Sequence, residues 1–403
     1  MRVLALLALI SAVVATPVTL YSNEQSPLGD VLPGEYPGFY LDLSAPRLVQ
    51  LEGQEPVVMT ESEKAIQAKA HGIRFFDVTE TADLGSRARY RTAAKPSYPT
   101  PPSYNESVRA VIESLEIQNL RDTLDQFTSF RTRCEYSICG SPTYRLILAQ
   151  ITSLTEEYAP EALRKSISIQ EFPHTWIQSS IIVRINGTSI DDDGAVIVGA
   201  HQDRRVKSPF LPAPGADDDG SGSMSILEAY RALIAAGWQP ERAVEFHWYA
   251  AEEGGLLGSQ AVARSYEIRD VNVVGMQQFD MTAWVKRGTE EHVGIVADDF
   301  VDPDLTQFNR DLVDLYLDIP WVDTECGFAC SDHASWHKAG YPSTDSIEST
   351  FPESNHQYVH TVDDRYDVSD EFSFEHMREF SKLAVAFAVE LGGWSESEAF
   401  GSK

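Results

Sequence analysis

The stretch Ala195-Val-Ile-Val-Gly-Ala-His-Gln-Asp203 decides the fold class, because an apolar run of strand length ends on a histidine and an aspartate. Two further stretches repeat the plan. Val244-Glu-Phe-His-Trp-Tyr249 leads into Ala250-Ala-Glu-Glu-Gly254, and Val273-Val-Gly-Met-Gln-Gln-Phe279 leads into Asp280-Met281. Strands are expected over 179–185, 195–199, 243–249, 271–279 and 292–296. Helical patterns alternate with them over 108–115, 119–127, 144–157, 223–236, 258–266, 303–316 and 374–391, which is the signature of an α/β domain. In open α/β sheets the ligand crevice lies beyond the carboxyl ends of the strands, so the three tips should converge. His201, Glu252, Glu253 and Asp280 then share one pocket. The loop Pro214-Gly-Ala-Asp-Asp-Asp-Gly-Ser-Gly222 leads into a helix and adds three adjacent carboxylates.

Each signal alone has an ordinary explanation. A histidine after a strand is commonly a hydrogen-bonded loop residue, an acidic triplet is commonly a solvated turn, and Glu252-Glu253 could open a helix. Asp191-Asp-Asp193 reads as such a turn. Together the signals point elsewhere, since burying so many carboxylates without a counter-charge is very costly. Imidazole and carboxylate donors without a thiolate suit zinc, or less selectively manganese or cobalt. Three carboxylates and a hydroxide would balance two zinc ions, which predicts a co-catalytic pair about 3.5 to 4 Å apart. His333 and His337 have the spacing of a zinc-binding helix, but Ala334 stands where that motif needs a glutamate. They are expected to be packing and supporting residues.

Outside this core, Met1 and Arg2 precede an apolar run and then small residues to Ala15, the order of a secretory signal peptide. That run is shorter than the roughly 20 residues of a membrane span. The expectation is a secreted, extracellular protein. A formal net charge of −29 argues against nucleic acid or an anionic membrane surface as partner. Cys134 with Cys139 and Cys326 with Cys330 form two close pairs. In an oxidising compartment they suggest two short-loop disulfides, with three connectivities formally open. Asn105 and Asn186 begin glycosylation sequons. Residues 16–97 include a helical pattern over 61–70 and end in basic, then Pro-rich sequence, as a small leading unit joined by a linker does.

The set His201-Gln-Asp203, Ala213-Pro-Gly-Ala-Asp-Asp-Asp-Gly-Ser-Gly222, Tyr249-Ala-Ala-Glu-Glu-Gly254, Phe279-Asp-Met-Thr282, Cys326-Gly-Phe-Ala-Cys-Ser-Asp-His-Ala-Ser-Trp-His337 and Tyr358-Val-His-Thr361 resembles the M28 metallopeptidases. Within them it is most similar to the secreted fungal leucine aminopeptidases and their bacterial two-zinc relatives. The resemblance runs in order from about Tyr98 to Gly392. It implies a three-layer zinc-exopeptidase fold, with a central mixed, largely parallel sheet flanked by helices. The implied domains are a signal peptide at 1–15, a propeptide at 16–97 and a two-zinc aminopeptidase domain at 98–403.

Residue by residue, the resemblance implies that Asp217 bridges two zinc ions, with His201 and Asp280 on one and Glu253 and His360 on the other. Glu252 would be the general base. Asp203 would orient His201, and a cis peptide bond would join Asp217 to Asp218. Met281, Phe328, Ile347, Phe351 and Val359 are the candidates for an apolar pocket taking the first side chain. The resemblance also carries the Cys326–Cys330 disulfide, whereas Cys134–Cys139 rests on spacing and compartment. The implied substrates are peptide or protein N-termini, and the implied state is a monomer.

Three departures from the family pattern stand out. Arg204 and Arg205 follow Asp203 where a serine is usual, Phe328 replaces a tyrosine of the bacterial relatives, and Asp345 lies where an apolar pocket residue is expected. Asp345 could point away or shift preference toward polar or basic first residues. The alternatives are a glutaminyl-cyclase-like or carboxypeptidase-like enzyme of the same fold and a non-enzymatic receptor-like domain.

Overall fold

Alternation of side chains along the strands sets the layers. In the computed structural model, residues 42–64, 66, 74–88, 97–130, 132–133, 140–190, 194–205 and 212–395 are described. They fall within one compact unit, Gly38–Lys403. The signal peptide, Asp191–Asp193, Cys134 and Cys139 lie outside the described residues.

A small antiparallel sheet comes first, with β1 (Pro46–Leu51) between β2 (Val57–Thr60) and β3 (Phe75–Asp77). Within the expected helix 61–70, residues 61–64 and 66 are helical. Four helices and two antiparallel strands follow: α1 (Asn105–Ile112), α2 (Ile117–Thr128), α3 (Gly140–Tyr158), α4 (Glu161–Arg164), β4 (Ile167–Phe172) and β5 (Ser180–Ile185). Next come β6 (Ala195–His201), α5 (Gly220–Ala235), β7 (Ala243–Tyr249), α6 (Leu257–Arg269) and β8 (Val273–Phe279). The remaining elements are β9 (Val293–Val296), α7 (Pro303–Tyr316), β10 (Trp321–Thr324), α8 (His333–Lys338), β11 (Ser343–Ile347) and α9 (Phe374–Gly392).

The eight-stranded sheet has the order β10-β9-β11-β8-β6-β7-β5-β4. Its centre, β11-β8-β6-β7, is parallel, while β5 pairs antiparallel with β7 and β9 with β11. This is the expected mixed α/β architecture. Val196 and Val198 face the larger core, packed with α5 and α9, whereas Ile197 faces the opposite one, with Val262 of α6 and Trp336 of α8. Apolar side chains on both faces are what a buried parallel strand requires. Helix starts follow local chemistry: Asp302 caps α7, accepting from the Asp304 and Leu305 amides at 3.1 and 2.9 Å, with Pro303 in the first turn. Because β6, β7 and β8 are parallel neighbours, their carboxyl ends emerge at one edge.

Candidate metal centre

That edge gathers the chemistry. His201 closes β6, Glu252 and Glu253 follow β7, and Asp280 follows β8. The His201 Nε2 lies 3.3 Å from Asp218 Oδ1 and 3.4 Å from Asp280 Oδ1. The His360 Nε2 lies 3.2 Å from Asp218 Oδ2 and 2.9 Å from Glu253 Oε2. Two groups result, His201 with Asp218 and Asp280, and Asp218 with Glu253 and His360; in each, one donor atom per residue lies within 4.8 Å of the others. Glu252 Oε2 stands 4.0 Å from His201 Nε2, at the mouth of the first group.

The residue common to both groups is Asp218, one position later than expected. Asp217 turns away: its Oδ2 accepts from Asn355 Nδ2 at 2.9 Å, and its Oδ1 accepts from Ser221 Oγ at 3.2 Å and from the Ala283 amide at 3.3 Å. The cis peptide bond correspondingly joins Asp218 to Asp219. Asp219 ties the tips together, accepting from the His201 amide (2.9 Å), the Gly222 amide (2.9 Å) and the Met281 amide (3.1 Å). It also caps α5. A Cβ at Gly222 would collide with the Asp219 carboxylate and the Phe279 carbonyl, so only glycine allows this approach. Met281 and His360 hold φ of 62° and 60°, a left-handed conformation that is costly outside glycine and that clusters at functional sites.

Supporting residues surround the ligand positions. Asp203 lies 3.5 Å from His201 Nδ1 and accepts from the Glu252 and Glu253 amides at 2.9 and 3.1 Å, so it positions both tips. Arg204, fully buried, donates to Asp218 Oδ2 at 2.8 Å and Glu253 Oε1 at 3.3 Å. Its other amino group lies 3.2 Å from Asp364 Oδ2. Asp364 in turn accepts from the Asp217 and Asp218 amides at 2.9 and 3.2 Å, and Arg133 donates to the Pro214 carbonyl. Sequence reasoning noted Arg204 only as an oddity and missed Arg133 and Asp364, which carry no local pattern.

A cavity of ≈ 380 Å³ opens beside the ligands, and Met281, Ile347, Phe351 and Val359 line it as expected. Phe328 does not. It packs edge-on against Phe76 at 5.2 Å and Phe300 at 5.5 Å, because the disulfide-bonded turn Cys326–Cys330 directs it toward the small sheet. Asp345 lines the cavity, and so do Arg74 and Phe75 of the leader. The leader reaches this edge through backbone: the Asp77 amide donates to the Gly255 carbonyl at 3.0 Å, and Lys64 Nζ to the Gly254 carbonyl at 3.1 Å. Asn105 and Asn186 are exposed. His333 is buried on α8, with its Nδ1 3.4 Å from Asp345 Oδ2.

The electrostatics are lopsided. Burial disfavours a charged His201, yet Asp280, Asp203 and Asp218 outweigh it and lift its pKa well above the usual imidazole range. Burial, reinforced by the charge of Asp280, pushes Asp219 well above the ordinary carboxylate range. For Asp218 burial acts upward too, but Arg204 and the two histidines prevail and hold it low. The residues fit zinc: two imidazoles and three carboxylates form the donor set, and Asp280 Oδ1 is buried without a hydrogen-bond partner among the described residues.

Known proteins share this arrangement of elements and sequence. The model of a family described as "Peptidase family M28" matches residues 180–385. Leucine aminopeptidase 1 of Pyrenophora teres f. teres is 42% identical over 354 residues, covering 85% of this chain and 88% of its own. Its namesake in Colletotrichum graminicola is 43% identical, covering 86% and 85%. The crystal structure of Legionella pneumophila LapA aminopeptidase matches with a TM-score of 0.73 at 30% identity, over 86% of this chain and 94% of that one. The motifs at the strand tips, the sheet that aligns them and the extent of these similarities lead to one assignment: the chain belongs to peptidase family M28.

Proposed function

We propose that this chain is a secreted, two-zinc aminopeptidase that removes the first residue of peptides. The observation that carries the reading is the placement of Asp218, whose two oxygens each face a different histidine. Asp218 would bridge the ions, His201 and Asp280 would complete one site, and Glu253 and His360 the other. Bound zinc lowers the pKa of water and polarises a carbonyl. Glu252, whose backbone is fixed by Asp203, takes the water's proton as general base and delivers it to the leaving amine. Arg204 holds Asp218 and Glu253 in position from the protein side.

Residues 16–97 are read as a propeptide. Arg74 and Phe75 occupy the cavity wall, and a Cβ at Gly255 would strike the Phe75 ring and the Asp77 amide, so this part of the leader lies tightly on the loop that carries Glu252. A leader so placed narrows the cleft by steric exclusion. Cys134–Cys139 pairing and glycosylation at Asn105 and Asn186 belong to the same secreted reading.

Metal analysis of the secreted protein, combined with hydrolysis of leucyl anilide and its N-acetylated counterpart, tests the proposal. Two zinc equivalents and cleavage of the free-amine substrate alone are expected. Equal cleavage of the acetylated substrate, or full activity without metal, overturns it.

A further inference from the structure

The cavity beside the metal centre holds an acidic side chain that a pocket for leucine does not need. Asp345 sits in the middle of β11, is 1% exposed and lines that cavity. Its Oδ1 has no hydrogen-bond partner among the described residues. Its Oδ2 faces His333 Nδ1 at 3.4 Å, but burial pushes that imidazole down to about 3, so it is neutral and does not balance the acid. Asp298 is already engaged, accepting from the Cys326 and Gly327 amides at 3.2 and 2.7 Å. Burial, reinforced by the charges of Asp280 and Asp298, pushes the Asp345 carboxyl well above its ordinary range, so its ionised form is favoured only with a cation beside it.

A second observation shows what kind. Arg74 of the leader reaches into the cavity with its guanidinium 4.5 Å above the centroid of Phe351. Burial lowers the pKa of this guanidinium below its usual value, and the carboxylates of Glu252, Asp280, Asp298 and Asp345 work against that shift. A guanidinium therefore already sits where the first side chain of a substrate would lie. We infer that the first-residue pocket of the mature enzyme takes a cationic side chain, arginine or lysine, with Asp345 as its specificity-determining residue and Arg74 as its occupant while the leader is docked.

This inference rests on the aminopeptidase reading above and changes the substrate class within it. Ile347, Met281 and Phe351 supply apolar wall for the methylene stem of a long cation, and the Phe351 face suits its charged end. The net charge of −29 draws cationic peptides toward the protein.

The test compares kcat/KM for arginyl, lysyl and leucyl anilides with the zinc-loaded enzyme as its host secretes it. The expected ratio of arginyl to leucyl is above about tenfold, as a charge-assisted contact gives. Asp345→Leu should lower that ratio about 100-fold, and the near-isosteric Asp345→Asn about tenfold, with zinc content retained in both. In the full chain, Arg74→Ala should lower the concentration of argininamide needed for half-inhibition. A leucyl preference that neither substitution moves overturns the inference and leaves the aminopeptidase standing. Failure to cleave any of the three anilides overturns both.

Discussion

Two buried charge clusters lie side by side in this molecule and are built on opposite principles. In the leader, Lys64 Nζ stands 2.7 Å from Glu61 and 2.8 Å from Asp77, and Arg47 Nε 2.7 Å from Asp77. Burial alone would raise Asp77, but Lys64 and Arg47 hold it below the usual carboxylate range. At the strand tips, by contrast, seven carboxylates, Asp203, Asp217, Asp218, Asp219, Glu252, Glu253 and Asp280, gather around Arg204 and two histidines, which reach chiefly Asp218, Glu253 and Asp280. Burial pushes Glu252 well above its ordinary value, and the nearby carboxylates of Asp332, Asp280 and Glu253 add to it against His201. The same folding chain balances one cluster internally and leaves the other in deficit. A deficit of that size marks a place for added cations.

Asp218→Ala strikes the unbalanced cluster hardest. It should abolish tight zinc binding and with it leucyl-anilide turnover, whereas Asp217→Asn should keep both ions, as metal analysis will show. If Asp217→Asn lost the metal and Asp218→Ala kept it, the assignment of the shared ligand would be reversed. Glu252→Gln is next: roughly a 100- to 10,000-fold fall in kcat with zinc content unchanged. Near-normal turnover would move the base elsewhere.

The balanced cluster answers to stability measurements. Lys64→Met removes the buried cation shared by Glu61 and Asp77, leaving Arg47 at 2.7 Å from Asp77 and 3.6 Å from Glu61, and should destabilise the docked leader by up to about 3 kcal/mol, read from hydrogen exchange along β1 and β3. Asp77→Asn should cost less and with a definite pH dependence. The native pKa of Asp77 lies below its unfolded value of about 3.9, so its contribution is complete above that pH and is lost as the pH falls through the native value. The melting-temperature gap between parent and variant should therefore be full at pH 6 and shrink below about pH 4. A gap independent of pH would show that Asp77 is not acting through its charge.

The sequence made His201, Glu252, Glu253 and Asp280 legible because each follows an apolar run, and parallel strands bring such ends together. The register within Asp217-Asp-Asp219 was not legible, since three identical neighbours differ only in the direction each side chain is sent. His360 came from resemblance; it lies in a turn with a left-handed backbone that no periodicity announces. β11 escaped notice because Ser343-Thr-Asp-Ser-Ile347 lacks an apolar pattern, although all five residues are buried. Arg74 was hidden for a different reason. A leader read as a separate unit gives no hint that one of its side chains enters another element's pocket.

The leader's attachment has a kinetic consequence. Asp83 binds Arg264 through bonds of 2.5 and 2.8 Å, the Gly85 and Arg87 amides donate to Glu267 at 2.9 and 2.7 Å, and Lys338 Nζ donates to Gln50 at 2.8 Å. With Gly254 and Gly255, these contacts span the leader's described length and are independent of the chain that links it to the body. A protease that nicks that link leaves the two pieces clasped. On the propeptide proposal, scission and activation would then be separate events with separate clocks, the second set by dissociation or digestion of the freed piece. Activity should lag behind cleavage, shorten its lag on dilution, and fall again when isolated leader is added in trans.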